Sequence, residues 1–492
     1  MRYRLWYTLR SRLRRPEYYL NTSPKVAKSY PFNLQKWISK PVSYDNPTFT
    51  FLNQSKAFTK PIDWNYSGYG KLWAYHLNYF DYLLQPGMDK ESGTLLIEEF
   101  IENLDRNREG LEPYPISLRG INWIKFLNRH NVQVPEVDAS LYAQYRVLLN
   151  NLEYHLMGNH LLENGCSLMF GAWYFRDKAL LTKAKEIVRE QLDEQILADG
   201  AHFELSPMYH RILLDRLMDV YNLMKNNQEW HTDADLEQKL KVTLQKMLGW
   251  LVAVSFSNGD VPLVNDSAED TGPDNSQLFS YADRLELKAE PVTLRESGYR
   301  KIDVGPAELF LDVGSIGPDY IPGHAHSDTL SFVLYDDGKP FIVDPGISTY
   351  EANAQRLKER STAYHNTVAI DEEDQSEVWS SFRVGNRAYI RDIEEQPGIV
   401  HASHTGYETS KGLVHRRTWK YDEDKIIIED QITGDRVRNN YEAKAFFHFH
   451  PNVEVKITEN GLIAGDKRMV FEGYKNIEKK VYSYCKRYNN VE

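Results

Sequence analysis

The sequence predicts an α+β multidomain chain, a helical N-terminal half followed by an antiparallel β half. Three observations predict it. A chain of 492 residues is long enough for two or three domains with substantial cores. Apolar residues before about residue 295 recur with helical period, and those after it alternate with period two.

In the first half, Leu141, Tyr145, Leu148, Leu149, Leu152 and Leu156 form one stripe over Val137–Met157. Further helices are expected over Leu161–Phe175, Lys178–Leu197 and Leu236–Val254. Ser206-Pro207 opens another by its chemistry, because Ser caps and Pro fits the first turn. Successive helices with short connections read as antiparallel hairpins. Asn258–Pro291, rich in Asp, Gly, Ser and Pro, reads as containing the linker. In the second half Leu309, Leu311 and Val313 share a strand face, as do Leu330, Phe332 and Leu334. Asp337-Gly338 between two apolar runs signals a tight hairpin. Phe341–Val343, Val368–Ile370, Ile426–Ile428 and Ala445–Phe449 continue the series, and Tyr482–Glu492 reads as though further strands follow.

Residues 1–60 are expected to form an N-terminal extension, in part helical. Leu5, Trp6, Leu9 and Leu13 would pack on the body. Arg4, Arg10, Arg12, Arg14 and Arg15 would face water or, alternatively, an anionic membrane. The segment has no uninterrupted apolar core and makes a poor secretory signal, so a cytoplasmic location is expected, or a periplasmic one if a leader has been removed. No run of eighteen apolar residues exists, so no transmembrane span is expected.

The hydrophobic fraction of 41% and charged fraction of 26% are those of a globular protein. A formal net charge of −11 argues against a nucleic-acid partner, yet a locally basic cleft could still take an acidic substrate. Cys166 and Cys485 stand far apart and give no disulfide framework. No pattern fixes the oligomeric state, and a homo-oligomer is compatible with the sequence.

Two polar clusters carry chemistry. Gly323-His324-Ala325-His326-Ser327-Asp328, Val343-Asp344-Pro345-Gly346 and Tyr364-His365-Asn366-Thr367 supply imidazoles and a carboxylate within about forty residues. His324 and His326 would point the same way on an extended backbone. His326, Asp344 and His365 read as a three-ligand site for a divalent metal of zinc type, the alternative being a metal-free hydrogen-bonded cluster. The second cluster is Asn159, His160 and Glu163, with Tyr209 later. His160 and Glu163 share a helix face, so Glu163 would orient the imidazole. Tyr209, in the first turn after Ser206, is expected to have a lowered pKa from the helix dipole and a nearby cation such as Arg211, unless it is a core tyrosine with a satisfied hydroxyl.

The Asn159-His160-Leu161-Leu162-Glu163-Asn164 run, Asp199–Glu204 with Ser206–His210, Gly323–Asp328 and Arg360–Thr367 resemble the heparinase II/III family, and the resemblance extends to Trp73–Phe80 and Pro113–Trp123. It implies an incomplete (α/α) toroid over 61–290 followed by an antiparallel β-sandwich over 295–492, with substrate between them. It also implies a polysaccharide lyase acting on a uronic-acid-containing acidic polysaccharide by β-elimination. That reaction needs carboxylate neutralisation, a base for the C5 proton and an acid for the leaving O4. By resemblance Asn159 and His160 neutralise the carboxylate and Tyr209 is the catalytic acid and, in one reading, also the base. His324 is a catalytic histidine, and either it or His160 acts as base. Glu163 supports, and His326, Asp344 and His365 hold a structural, site-organising zinc. No organic cofactor is implied. Arg119, Arg360 and Arg383 are candidate substrate contacts, because guanidinium binds carboxylate and sulfate bidentately, though each also suits a structural ion pair. A uronyl C5-epimerase sharing the first proton abstraction, and a noncatalytic carbohydrate-binding relative, are the other readings.

Overall fold

A computed structural model describes residues 28–434 and 441–491, so the predicted arginine-rich helix at the start lies outside the described residues. The chain divides into two compact units. One gathers Met1–Ile196, Ile212–Gln245 and Ser276–Ala289; the other gathers Leu197–Arg211, Lys246–Asn275 and Glu290–Glu492.

The first unit begins with a small antiparallel sheet of β1 (Tyr44–Asp45), β2 (Thr48–Phe51) and β3 (Gln54–Ala57). Helices α1 (Lys71–Tyr79), α2 (Lys90–Glu102), α3 (Pro113–Arg129), α4 (Pro135–Asn150), α5 (Gly158–Phe175) and α6 (Lys178–Gln195) follow. The larger parts of α7 (Pro207–Asn226), α8 (Ala234–Val254) and α9 (Asn275–Arg284) also belong to it. Pro113 and Pro135 open α3 and α4, where a missing N–H costs nothing. Asp177 caps α6 by accepting from the amides of Ala179 and Leu180. α5 packs against both α3 and α6, which is why all of its residues except His160 are buried.

The stripe expected over Val137–Met157 breaks at Asn150. Asn164 reaches back from α5, its side-chain oxygen accepting the Glu153 amide at 2.9 Å, and Met157 turns at φ 57°. A side chain on the next helix therefore takes the amide that helix continuation would have used.

The second unit holds the remaining strands. β4 (Tyr299–Val304), β5 (Ala307–Asp312), β6 (Phe332–Asp336) and β7 (Lys339–Ile342) form one antiparallel sheet in chain order. β8 (Val368–Ile370) pairs with a later strand, and β9 (Val378–Trp379) pairs with β10 (Arg383–Val384). β11 (Ile390–Gln396), β12 (Ile399–His404), β13 (Val414–Tyr421) and β14 (Ile426–Thr433) form a second four-stranded meander. β15 (Ala443–Ala445) is the partner of β8, and β16 (Val455–Thr458), β17 (Gly461–Ala464) and β18 (Lys467–Val470) complete the set. Asp337 and Gly338, at φ 49° and 69°, make the predicted two-residue turn between β6 and β7. Leu309, Leu311 and Phe332 meet Val400, Ala402 and Trp419 in one core. Phe310, Val333 and Tyr335 face the other way, onto Trp250, Val254 and Phe256. The two alternating sets on one sheet thus serve two cores.

Two expectations are corrected here. His324 and His326 lie on a loop, not a strand, because its backbone bonds elsewhere: the His324 carbonyl accepts from the Asp266 amide and the His326 amide donates to Asn265 Oδ1. The stretch read as a linker is no spacer: Val264, Asn265, Asp266 and Ser267 are buried within the second unit.

Candidate functional site

In the second unit the chain turns into α7 at Leu205, with φ 56°. Ser206 Oγ accepts the Tyr209 amide at 3.3 Å, as the predicted cap, and donates to the Asp266 carbonyl at 2.8 Å. One hydroxyl thereby ties the first turn of α7 to the 265–267 segment. The Tyr209 ring lies 4.1 Å from the His324 ring, inclined at 36°. Its hydroxyl is 3.2 Å from that of Tyr350.

Asp266 is the hub of this cluster and is fully buried. Its Oδ2 accepts from His324 Nδ1 and its Oδ1 from His326 Nε2, each at 2.9 Å. Arg356 grips both oxygens, at 2.5 and 2.7 Å. Burial by itself would raise the Asp266 pKa, but the Arg356 guanidinium and the two imidazole donors hold it well below the carboxylate range. A carboxylate only accepts, so the proton sits on His324 Nδ1 and on His326 Nε2. The other ring nitrogen, His324 Nε2, belongs to a side chain that is 15% exposed and lies 3.8 Å from Glu204 Oε2.

The expected phenolate is corrected. Burial, then the neighbouring Tyr488, Asp266 and Glu204, push Tyr209 well above its ordinary pKa, outweighing the hydrogen bond from Tyr350. The helix dipole acts only over the first turn and is smaller than full desolvation of a phenol. Tyr209 is a protonated donor.

In the first unit, Met157 and Gly158 both have positive φ, 57° and 54°, and set Asn159 and His160 in the opening turn of α5. Gln195 Nε2 pins this turn by donating to the Gly158 carbonyl at 2.7 Å. The dipole of a helix start favours an anion there. His160 Nδ1 is 3.0 Å from Glu153 Oε1, whose other oxygen accepts from Asn164 Nδ2 at 2.9 Å. The Tyr114 ring packs 4.3 Å from the imidazole. Glu153, not Glu163, therefore orients His160. Glu163 points into the helical core, where Arg216 Nε donates to it at 2.7 Å, and burial raises its pKa against that guanidinium.

Of the three candidate substrate arginines, two are used inside the protein. Arg119 is buried and donates to Gln144 Oε1 and to the carbonyls of Asn78 and Gly110. Arg360 is buried and donates to the carbonyls of Ala325, Ser380, Ser381 and Arg383. Arg383 alone is exposed.

Around the expected metal ligands, His365 Nδ1 bonds Asp344 Oδ2 at 2.8 Å and the Gly346 amide occupies Asp344 Oδ1. The His326 and His365 rings are 5.2 Å apart. Among the described residues no group of three or more His, Cys, Asp or Glu side chains is drawn together to hold a metal ion. Burial pushes His326 down to about 3, against the pull of Asp266, so its Nδ1 is an unprotonated lone pair.

Sequence reasoning missed Asp266, Arg356, Glu153 and Tyr350. Asp266 follows the apolar run Val261-Pro262-Leu263-Val264 in a Pro- and Gly-rich stretch, where an aspartate reads as a turn residue. Glu153 precedes His160 by seven positions, a spacing that only the broken helix brings to bonding distance.

A "Heparin-sulfate lyase" of Bacteroides stercoris is 23% identical over 316 residues, 58% of this chain and 45% of that protein. One from Pedobacter heparinus is 25% identical over 280 residues, 51% of this chain and 40% of that protein. The chain thus spans less than half the length of these curated relatives. A crystal structure of heparinase III superposes with a TM-score of 0.58 at 18% identity, covering 77% of this chain and 66% of that one, a likeness of fold alone. Among the described residues no helix is long and apolar enough to cross a membrane. Residues 123–287 match the family description "Heparinase II/III N-terminus" and residues 287–490 match "Heparinase II/III-like, C-terminal", and the chain belongs to the heparinase II/III-like family.

Proposed function

We propose that this chain is a polysaccharide lyase that cleaves a uronic-acid-containing polysaccharide of glycosaminoglycan type by β-elimination. The observation that carries the reading is the close packing of Tyr209 on His324, the first held as phenol and the second with its Nδ1 committed to the Asp266–Arg356 clamp, which leaves Nε2 to act. That is an acid and a base side by side. The family resemblance gives Asn159 and His160, in the first unit, the role of neutralising a uronate carboxylate, which acidifies C5–H. His324 Nε2 takes the C5 proton, the electron pair forms the C4–C5 double bond, the C4–O bond breaks, and the Tyr209 hydroxyl protonates the departing oxygen. The names of the curated relatives support the same class. The finer architecture that goes with it is an incomplete (α/α) toroid over 61–290 and a β-sandwich over 295–492.

A structural divalent cation of zinc type belongs to the same reading. His326 Nδ1 and His365 Nε2 are buried without a hydrogen-bond partner, as is Asp328 Oδ2, and these unpartnered atoms, of the types that bind zinc, support the reading. His326 and His365 would hold it with a carboxylate, Asp344 as the sequence suggests or Asp328. It would fix loops beside His324 and supply no step of the reaction. Metal analysis with unfolding before and after chelation tests it: loss of a bound ion should lower the midpoint, and a metal-free protein with an unchanged midpoint would refute it.

The activity is tested by incubating the protein with heparan sulfate, heparin, hyaluronan and alginate, following ultraviolet absorbance of the conjugated alkene and deuterium uptake at C5. Alkene formation that disappears in Tyr209→Phe is expected. Deuterium uptake without chain cleavage would instead make the protein an epimerase.

A further inference from the structure

An exposed hairpin beside His324 is built more firmly than its size requires. β9 and β10 have two residues each, and a pairing this short is marginal by itself. Its turn, with Ser380 at φ 53°, is held from beneath by two buried guanidiniums. Arg356 donates through Nε and Nη2 to the Ser381 carbonyl, at 3.1 and 3.0 Å. Arg360 donates to the carbonyls of Ser380, Ser381 and Arg383, at 3.2–3.3 Å. The same arginines reach the catalytic loop: Arg356 clamps Asp266, and Arg360 Nη2 donates at 2.9 Å to the carbonyl of Ala325, between His324 and His326. Hairpin and catalytic histidine are thus fixed to one frame.

What the hairpin presents is unusual for a solvated turn. Phe382 is 42% exposed and Trp379 is 52% exposed. The Phe382 ring stands edge-on to His324 at 5.7 Å and to Tyr350 at 5.2 Å. Arg383 pairs directly across from Trp379, its guanidinium 5.9 Å from the indole centroid, and has no carboxylate partner among the described residues. Large aromatics left in water next to an unpaired guanidinium, on a rigidified support, suit a ligand with an apolar face and an anionic substituent. A pyranose ring carrying carboxylate or sulfate has both.

We propose that the Val378–Val384 hairpin is a sugar-binding subsite adjoining His324, with Phe382 stacking on the pyranose ring next to the scissile bond and Arg383 taking that ring's anionic group. The proposal rests on the lyase reading for its occupant. Trp379 orients the Arg383 guanidinium as its planar support.

The test is equilibrium binding, separate from turnover. Fluorescently labelled heparan sulfate, hyaluronan and alginate oligosaccharides are titrated into the Tyr209→Phe protein, alone and with Phe382→Ala, Phe382→Trp or Arg383→Ala added. Both hairpin positions are exposed, so thermal unfolding should be unchanged and serves as the folding control. For the oligosaccharide bound best, Phe382→Ala and Arg383→Ala should each weaken the Kd about tenfold, Phe382→Trp should restore it, and Arg383→Ala should flatten its salt dependence. Kd values within about twofold of the parent for both alanine variants, or no binding of any probe by the parent, overturn the subsite. Alkene formation by the unmodified protein is read in parallel, so a protein that binds through the hairpin but never cleaves defeats the lyase reading and leaves the subsite standing.

Discussion

The second unit contains the same arrangement twice. Arg356 grips Asp266, which accepts from His324; Arg417 grips Asp430 through Nε and Nη2, at 2.7 and 2.9 Å, and Asp430 accepts from His415 Nε2 at 2.8 Å. The difference lies in the far imidazole nitrogen. His415 Nδ1 meets His404 Nε2 at 3.1 Å, and His404 Nδ1 accepts the Gly406 amide at 3.1 Å, so that chain ends in backbone with every nitrogen used. His324 Nε2 has no hydrogen-bond partner among the described residues; it lies 3.8 Å from Glu204 Oε2, on a ring packed against the exposed Phe382 and against Tyr209. An Arg–Asp–His relay is therefore only scaffolding until its last nitrogen is left open. Glu153–His160, in the first unit, is a looser version, with no guanidinium on the carboxylate among the described residues and an imidazole side chain 32% exposed.

The comparison breaks most sharply at the two aspartates. Asp266→Asn leaves Arg356 buried without its counter-ion and allows the His324 tautomer to reverse. We expect a stability loss of about 3–5 kcal/mol in denaturant unfolding and a fall in alkene formation of about 10⁴-fold in the folded fraction. Asp430→Asn should cost roughly 2 kcal/mol, since that carboxylate is partly exposed, with turnover per folded molecule unchanged. Equal activity losses in both variants would mean that the open nitrogen has no special role.

Tyr209→Phe removes one hydroxyl whose protein partner is Tyr350, so it should lower the rate by about 10³-fold while shifting stability by less than about 1 kcal/mol. A rate within tenfold of the parent would remove Tyr209 from the chemistry. Glu153→Gln tests the looser pair: a 10- to 100-fold rate loss is expected by analogy with supporting carboxylates, while Glu163→Gln should act mainly on unfolding, through Arg216. The reverse pattern would return the orienting role to Glu163.

The closed relay supplies the smallest effect and a pH signature. Burial depresses both His404 and His415, the first well below the imidazole value. The unfolded chain then binds more protons than the folded one as pH falls below about 6.5, so their contribution is complete above that pH and lost below it. Unfolding free energy should decline on acidification by up to about 1.4 kcal/mol per pH unit for each histidine. His404→Gln should flatten the slope; an unchanged slope would place the titration elsewhere.

Element types were legible because their periodicities are local. The α7 start at Ser206-Pro207, the Asp337-Gly338 hairpin and the change of period near residue 295 are each written in a few neighbouring residues. The residues His160, Tyr209 and His324 were legible as chemical types in recognisable runs. Their partners were not. Asp266 is 58 positions from His324 and 90 from Arg356, and nothing local marks a carboxylate that will be gripped by a guanidinium.

The sequence by itself determined the two halves, their period and the family to which the chain belongs, because these follow from side-chain spacing and short motifs. Tertiary structure alone decided which carboxylate orients which imidazole, that Tyr209 is a phenol and not a phenolate, and that Arg119 and Arg360 serve the frame while Arg383 faces water. Each of those outcomes depends on burial and on contacts between distant segments, and desolvation is a property of the folded surroundings that no residue carries in its own neighbourhood of the chain.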